Sequence, residues 1–431
     1  MVPAVEPARS DARFADDLQA FISKYAGLWG NCATELPTSN ELFGTALQHR
    51  NEREADLLID SMEKELRNYP CRESEQEVWR ERIFKRLRQL GKDSFQFPDR
   101  HLDIIFSPEY LAATREFVRR ARAFDGAIDA VSLGQAMRNV WVMNCLQMFL
   151  DRRPSLSPSI FAYSMLYPYT DNYLDDPHLS KDAKESASRR LRLRLAADIF
   201  EPRNPDEAAV FRLVETIESE YPRSDFPEIY ASLLAIHAGQ AKSLRQQGGI
   251  CTLNAESLLQ ISVEKGGSSV LADSWLVAGR LNQTEADFFF SLGVMLQLLD
   301  DVQDLHDDRA AGHWTLFTQA ATRVSLDALT SRLWQFLNRV LDSKSCFTSS
   351  RSLELKDLIR RNSRMLLLRA IADSANYYSC DYLRHMERFS PLSFSYLRDR
   401  RQTVERRFAK VWPQVARRRK LSSVFDLLGQ F

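Results

Sequence analysis

The chain has 431 residues, of which 44% are hydrophobic and 27% charged, a balance typical of a folded globular protein. Lysine plus arginine and aspartate plus glutamate both total 58, so the net charge gives no reason to expect nucleic acid as a partner. Glycine (15) and proline (16) are sparse, which favours helices over a turn-rich β fold.

The cysteines and the apolar segments bear on the compartment. Six cysteines are scattered without a Cys-x-x-Cys pair, which is typical of free thiols in a reducing compartment and not of a zinc site. The first residues lack the apolar core of a secretory signal. The apolar runs Asn139–Leu150 and Phe288–Leu299 are about a dozen residues long, whereas a membrane span needs ~20. We therefore expect a cytoplasmic protein in which these runs are buried helices.

Signals for the start of a helix recur along the chain. Ser107-Pro108 and Ser157-Pro158 each place a capping residue before a first-turn proline, and Asn204-Pro205 repeats the pattern. Thr284-Glu285-Ala286-Asp287 resembles a capping box before the apolar run that starts at Phe288. No segment shows a convincing alternation of polar and apolar residues. The pattern predicts an all-α protein.

The composition divides the chain into three parts. Residues 1–100 are dense in charge and predict a helical N-terminal extension whose amphipathic helices are mostly exposed. Residues 101–390 are more apolar and predict the main helical domain, which contains the motifs described next. Residues 391–431 are basic and end in an apolar segment. This last part predicts either a final helix packed on the bundle, with its arginines solvated or paired with the acidic N-terminal helices, or a weak peripheral contact with an anionic membrane.

The first of two aspartate clusters follows a predicted helix that begins near Ser157. It reads Asp171-Asn172-Tyr173-Leu174-Asp175-Asp176, and Pro177 ends the helix. On a helix, Asp171 and Asp175 lie one turn apart on one face, where their like charges repel each other unless a cation is bound. Magnesium prefers carboxylate oxygens and bridges to substrate phosphates. Asp171, Asp175 and Asp176 are therefore candidate magnesium ligands.

The second cluster follows the apolar run Phe288–Leu299. It contains Asp300-Asp301-Val302-Gln303-Asp304, followed by Asp307 and Asp308. Asp300 and Asp304 are again one helical turn apart. Either cluster alone is typical of a solvated acidic helix end. Two clusters, each closing an apolar helix, instead favour a pair of metal-binding helices, with Asp300, Asp301 and Asp304 as candidate ligands.

Two basic residues and one polar stripe are candidates for the same site. Lys265 precedes Gly266-Gly267, a pair that predicts a helix break exposing backbone N–H groups; the alternative is a surface lysine at a loop. Arg138 lies in an otherwise uncharged segment and needs an anionic partner, either a substrate phosphate or a structural carboxylate. His237 begins a polar stripe on its helix that predicts inter-helix hydrogen bonds or the lining of a cavity.

These segments resemble motifs of the class I isoprenoid synthase superfamily. Met295–Asp304 resembles the second aspartate-rich motif of trans-isoprenyl diphosphate synthases. Asp171–Asp176 is closer to the first motif of squalene and phytoene synthases and of class IB terpene synthases. Ser262–Asp273 resembles the lysine-bearing element that these enzymes place between the two motifs. The resemblance covers about residues 101–390.

The resemblance implies an antiparallel helix bundle around a central apolar cavity, with the aspartate helices facing each other across its mouth. About three Mg²⁺ ions would be held by the candidate ligands, which are Asp171, Asp175, Asp176, Asp300, Asp301 and Asp304. Arg138, Lys265 and Gln297 would bind the diphosphate of a linear prenyl substrate. Ionisation would release pyrophosphate and leave an allylic cation in a water-poor cavity. Of the candidate ligands, all except Asp176 would be catalytic, and homodimeric assembly is left open.

The chain also departs from the family patterns. The first motif is not the DDxxxxD of chain-elongating enzymes, and no NDxxSxxxE or DxDD motif is present. The sequence therefore predicts a magnesium-dependent class I terpene synthase, a carbon–oxygen lyase. A prenyltransferase, either chain-elongating or joining two prenyl chains head to head, is the nearest alternative. A non-catalytic helical interaction protein is the third.

Overall fold

The structure is a computed structural model that describes residues 9–70, 72–175, 179–248, 251–400, 403 and 406–407. The side chains of residues 9–12, 73, 171, 172, 174 and 175 lie outside this description as well. Within these ranges the chain forms seventeen α-helices with defined bounds, a further helical stretch over residues 394–400 and two 3-10 helices, with no strand beyond an isolated bridge between Gln247 and His313. The prediction of an all-α protein is confirmed.

The helices follow one another in chain order with short connections. The first six are α1 (Arg9–Gly30), α2 (Thr45–Arg67), α3 (Glu73–Asp93), α4 (Asp99–Ile105), α5 (Pro108–Phe124) and α6 (Ala130–Phe149). The next six are α7 (Pro158–Asp175), α8 (Lys181–Leu195), α9 (Pro205–Glu220), α10 (Pro227–Ser243), α11 (Ala255–Ala278) and α12 (Gln283–Gln303). The last five are α13 (Leu305–Ala311), α14 (Leu316–Ala320), α15 (Asp327–Leu341), α16 (Ser350–Asp373) and α17 (Cys380–Glu387). The 3-10 helices span Leu244–Gln246 and Ala375–Tyr377.

The predicted helix starts are observed, with one shift. α5, α7 and α9 each begin at the proline that the sequence indicated, and the Asn204 side chain caps α9 by accepting from the Glu207 backbone N–H. The capping box of α12 is formed by Asn282 and Glu285 rather than by Thr284. The Asn282 side chain accepts from the Glu285 N–H at 3.0 Å, and the Glu285 carboxylate accepts from the Asn282 N–H at 3.0 Å. The N-cap is therefore Asn282, two residues before Thr284, and its side chain satisfies backbone N–H groups of the first helical turn that have no partner within the helix.

Close packing of α11 against α12 forms the centre of the molecule. α11 is continuous through Gly266 and Gly267, so the predicted helix break at this pair is wrong. A Cβ atom at Gly266 would lie 2.3 Å from the Gln297 Cβ, and one at Gly267 would lie 2.3 Å from the Phe290 ring. Both glycines are therefore required for the close approach of two helices, a role that leaves the helix itself intact.

Helix α1 packs into the core. The sequence predicted that the helices of the N-terminal extension are mostly exposed, and α1 differs from that prediction. The rings of Phe21 and Tyr25 lie 5.5 and 5.9 Å from that of Phe290 on α12. Trp29 is 2% exposed and meets Phe336 of α15 edge-on. The apolar stripe of α1 thus covers α11, α12 and α15, although the opposite face of the helix is exposed.

The C-terminal segment contacts α2 through ion pairs. Arg400 pairs with Asp56, and the Arg407 guanidinium lies 2.6 Å from the Asp60 carboxylate and 2.7 Å from that of Glu63. The Tyr396 hydroxyl donates to Asp56 at 2.6 Å. Pairing with an acidic N-terminal helix is one of the two arrangements predicted for this segment. The four consecutive basic residues 417–420 lie outside the described residues.

None of the helices described is long and apolar enough to cross a membrane. The apolar run Phe288–Leu299 is instead buried inside the molecule as part of α12. Phe288 and Phe289 are fully enclosed and form an aromatic cluster with Phe149 of α6 and Phe347, with ring centroids 5.1 to 6.3 Å apart. The prediction that this run is a buried core helix is confirmed.

Candidate functional site

The second aspartate cluster lies at the C-terminal end of α12. Asp300 and Asp304 are both exposed and are one turn apart, with Asp304 at the C-cap, whereas Asp301 between them is 4% exposed. The short helix α13 follows at once and adds Asp307 and Asp308 in its first turn. The five carboxylates predicted from the sequence therefore do occupy one end of the α12–α13 unit, but they do not share one environment.

Two positive charges from other helices face this cluster. The pKa of the Asp300 carboxyl is raised, chiefly because surrounding protein displaces water, and the charges of Lys265 on α11 and Arg138 on α6 oppose that rise. Asp300 is exposed in terms of its solvent-accessible surface, yet many protein atoms surround its carboxyl group. A side chain on the wall of a concave site has this environment. Among the described residues, neither Lys265 nor Arg138 makes an ion pair within 4.0 Å. Their charges are therefore available to a further anion.

Asp304 carries the strongest like-charge repulsion of the cluster. Its pKa is raised to about 7, first by removal from water and then by the negative charges of Asp300, Asp308 and Asp307, while Arg138 lowers it. A carboxyl group with these neighbours is stabilised either by a proton or by a cation. Magnesium is held in proteins by one or two carboxylates together with water and substrate phosphate, and the oxygen donors of Asp300 and Asp304 fit that chemistry.

Asp301 has a different role from its neighbours. Ser262 of α11 donates to one of its oxygens at 2.8 Å, and Gln297 one turn earlier on α12 donates to the other at 2.9 Å. Burial raises the pKa of Asp301 to about 6, and these two hydrogen bonds oppose the rise. The geometry therefore favours Asp301 as a residue that positions α12 against α11, where the sequence predicted a metal ligand. Gln297, predicted to bind diphosphate, has its amide engaged by Asp301.

The first aspartate cluster falls only partly within the described residues. The backbone of Asp171 and Asp175 forms the last turn of α7, but their side chains, and all of Asp176, lie outside the description. Whether these three carboxylates act as ligands stays a prediction.

The direction of α7 nevertheless shows which end of the bundle this last turn occupies. The Ser159 hydroxyl at the start of α7 donates to the Leu276 carbonyl near the end of α11, at 3.4 Å. Further along, Asn139 of α6 donates to both Ser164 of α7 and Asp273 of α11. α7 and α11 are therefore antiparallel. Asp171 is twelve residues after Ser159 and Lys265 is eleven residues before Leu276, so both residues lie toward the same end of the two helices.

Sequence reasoning missed a buried polar cluster below this end. Asp273 is 1% exposed, and among the described residues its side chain accepts a hydrogen bond only from Asn139, at 3.1 Å. Burial raises the pKa of Asp273 to about 8, so the group is mostly protonated at neutral pH. The signal in the sequence was one polar residue in each of three apolar helices, namely Asn139 in α6, Ser164 in α7 and Asp273 in α11. A single polar residue in a helix does not predict which other helix it contacts.

Two histidines, His237 and His313, make hydrogen bonds with neighbouring residues. The His237 Nε2–H donates to the Ser188 carbonyl at 2.8 Å, and the same nitrogen lies 3.1 Å from the Ser188 hydroxyl, so the predicted inter-helix hydrogen bond between α10 and α8 is present. His313 contacts Asp308 at 3.2 Å. Among the described side chains, no group of three or more His, Cys, Asp or Glu residues is arranged to hold a metal ion.

Comparison with known proteins adds no assignment to this geometry. No protein-family model matches the chain, and no curated protein matches it in sequence.

Proposed function

We propose that the chain is a magnesium-dependent class I terpene synthase that ionises a linear prenyl diphosphate. The observation that carries this proposal is the meeting of opposite charges from three helices at one end of the bundle. Lys265 and Arg138 both act electrostatically on the Asp300 carboxylate, and Arg138 also acts on that of Asp304, yet neither base is paired with a described carboxylate. A diphosphate bound through metal ions to the aspartates is an anion that would engage both bases.

The residues divide into two roles in this reaction. Asp300 and Asp304 would hold the cation, together with the aspartates at the end of α7. Lys265 and Arg138 would bind the diphosphate and stabilise the charge that grows on it as the carbon–oxygen bond breaks. Magnesium, when bound, would neutralise part of that charge. Asp301 would keep α12 in register with α11 through Ser262.

The proposed fold is the antiparallel bundle of the class I isoprenoid synthases, with the reacting chain held in its apolar interior. Its support is the antiparallel order of α7 against α11 and the position of their charged residues at one level. Large aromatic residues enclose the apolar side of α12, as exclusion of water from a reactive cation requires. The end of the bundle that carries the charges would be its mouth.

A product assay tests the proposal. The purified chain is incubated with C10, C15, C20 or C25 prenyl diphosphate and Mg²⁺, and pyrophosphate and volatile hydrocarbons are measured. We expect one diphosphate alone to release pyrophosphate with a terpene product, and Asp300→Asn to abolish both. A requirement for isopentenyl diphosphate would favour a chain-elongating prenyltransferase, and a C30 or C40 product would favour head-to-head condensation. Absence of pyrophosphate release from every substrate would contradict all three activities.

A further inference from the structure

A cavity lies beside the last turns of α7, on the face of the helix opposite to positions 171 and 175. It has a volume of about 230 Å³, is open to solvent on one side and is lined by residues of α7, α8, α9 and α10. We call it the rear cavity and define it by Tyr169, Tyr173, Ala187, Leu191, Val210 and His237. An apolar cavity of ~150 Å³ is large enough for a benzene ring, so the rear cavity holds a somewhat larger molecule.

The rear cavity is separate from the proposed diphosphate site. Successive residues of a helix are turned by ~100°, so positions 169 and 173 occupy the face of α7 opposite to positions 171 and 175. α8 and α9, which form two of its walls, contribute no residue to the charged end described above. The two sites therefore share helix α7 but lie on opposite faces of it.

The charges of the four ionisable acid and base side chains around the rear cavity sum to zero. Arg190 of α8 forms a two-point ion pair with Glu207 of α9, with a distance of 2.8 Å between Nη2 and Oε2. The remaining charges in the lining are those of Arg203 and Asp206, one of each sign, and Arg203 donates to the Ser186 hydroxyl at 2.9 Å. Burial lowers the pKa of His237, so its imidazole is neutral at pH 7. The lining therefore carries no net charge, and the two charges outside the Arg190–Glu207 pair, those of Arg203 and Asp206, belong to exposed side chains.

The apolar lining continues beyond the main volume. A smaller space of about 40 Å³ adjoins it and is also lined by Thr170, Leu191 and His237. Leu195, Leu233 and Ile236 enclose that space. The two volumes together make an elongated apolar region that is divided by the His237 side chain. A flexible chain fits this shape better than a compact ring.

We propose that the rear cavity binds a neutral, mainly apolar molecule with a short hydrocarbon chain and at most one hydroxyl group. Apolar contact with Leu191 and Val210 would supply the affinity, because burial of each methylene of the ligand removes apolar surface from water. Among the described residues, the Tyr173 hydroxyl has no hydrogen-bond partner, so it could serve the hydroxyl of the ligand. Since Arg203 and Asp206 are exposed, a charged head group placed beside Leu191 and Val210 would be removed from water without a counter-charge and is therefore disfavoured. This inference does not depend on the proposed synthase activity.

The test uses two probes that differ only in charge. 1-Octanol and octanoate are titrated into the full chain by calorimetry at pH 8, without Mg²⁺ or any diphosphate. We expect saturable binding of one octanol and an affinity for octanoate at least ~10-fold lower, a difference of about 1.4 kcal/mol. Equal affinity for the two probes, or no saturable binding of octanol, overturns the proposal.

Matched variants place the bound octanol. Ala187→Leu fills the rear cavity and should weaken octanol binding at least ~10-fold, whereas Ala238→Leu adds the same group at an exposed position of α10 and should leave binding unchanged. Unchanged binding in Ala187→Leu means that octanol occupies another site, such as the interior of the bundle, and overturns the proposal. Val210→Phe fills the cavity from α9 and replaces Ala187→Leu if that variant fails to fold. A crystal soaked with 8-bromo-1-octanol gives an independent readout, since bromine density anywhere other than beside Tyr169 and Tyr173 contradicts the assignment.

Discussion

Gly266 of α11 and Gly293 of α12 lie in direct backbone contact, so close that a Cβ atom on Gly293 would stand 2.1 Å from the Gly266 carbonyl oxygen. This contact fixes the spacing of the two central helices. One residue before Gly266 is Lys265, and two turns after Gly293 are Asp300 and Asp301. The charged end of the bundle is therefore positioned by a contact that contains no charge.

Substitution of Gly293 tests that contact. Gly293→Ala should lower the free energy of unfolding by about 3 kcal/mol, because the added methyl overlaps backbone atoms that cannot move independently. Gly27→Ala on α1 is the matched control, since nothing lies within 4 Å of its Cβ position, and it should stabilise the helix by about 0.5–1 kcal/mol. Thermal and urea unfolding measure both. Equal effects of the two substitutions would show that the α11–α12 spacing is adjustable.

Local patterns in the sequence predicted local structure well. Prolines at the first helical turn indicated where α5, α7 and α9 begin, because their fixed φ and missing N–H suit only that position. The Gly266-Gly267 pair predicts a helix break but instead allows close packing, because a glycine permits either a change of backbone direction or a close approach by a neighbouring helix. Only the position of α12 decides between them, and that is not a local property.

For the candidate site as well, the sequence predicted the arrangement of residues within one helix but not the contacts between helices. The stripe of Asp300 and Asp304 followed from helical periodicity, but the inward orientation of Asp301 did not, because it depends on Ser262 from another helix. The approach of Arg138 to Asp300 likewise joins residues more than 150 positions apart in the chain. The inclusion of α1 in the core could not be inferred from its high charge, since a single apolar stripe is enough for packing.

Replacement of Asp300 should separate chemistry from stability. Asp300→Asn is expected to reduce turnover of the prenyl diphosphate at least ~10²-fold, because a carboxylate that holds the metal is lost. The melting temperature should not fall, since the substitution removes a charge that repels Asp304 and Asp308. Asp198→Asn, at an exposed turn after α8, is the matched control for both measurements. Full activity of Asp300→Asn, or of the wild type in excess EDTA, would contradict the metal assignment.

Burial of Asp273 predicts a pH dependence of stability. The folded-state pKa of about 8 lies far above the value of ~3.9 in an unfolded chain, so the folded protein retains a proton that the unfolded chain releases. This group therefore stabilises the fold fully only below about pH 4, and its contribution decreases by up to ~1.4 kcal/mol for each pH unit until about pH 8. Asp273→Asn keeps the acceptor for Asn139 without the titration. The melting temperature of the variant should exceed that of the wild type by a margin that increases from pH 5 to 8; a constant margin would contradict the cause.

The ion pair between Arg400 and Asp56 should contribute measurably to docking of the C-terminal segment. Both side chains are about one-third exposed, at 30% and 35%, so screening by solvent limits the coupling energy to about 0.5–1 kcal/mol in a double-mutant cycle with Ala. Arg384 and Asp381 are 77% and 85% exposed and provide a control cycle with little or no coupling. Two results together would favour the membrane alternative for this segment. They are a coupling energy of zero between Arg400 and Asp56, and flotation of the protein with anionic vesicles at low salt.

Lys265 should bind the leaving diphosphate directly. Lys265→Ala is expected to weaken pyrophosphate binding in the presence of Mg²⁺ by at least ~10-fold, because an uncompensated positive charge beside Asp300 is removed. Lys265→Arg should retain more of the affinity, although the planar guanidinium offers a different donor geometry. Lys242 is the matched control, since it lies on the neighbouring α10 and is already held by Glu264 at 2.7 Å, so Lys242→Ala should bind pyrophosphate as the wild type does. Calorimetric titration of pyrophosphate measures all three variants. Equal affinities in Lys265→Ala and Lys242→Ala would return Lys265 to the role of a surface lysine and leave Arg138 as the remaining base for the diphosphate.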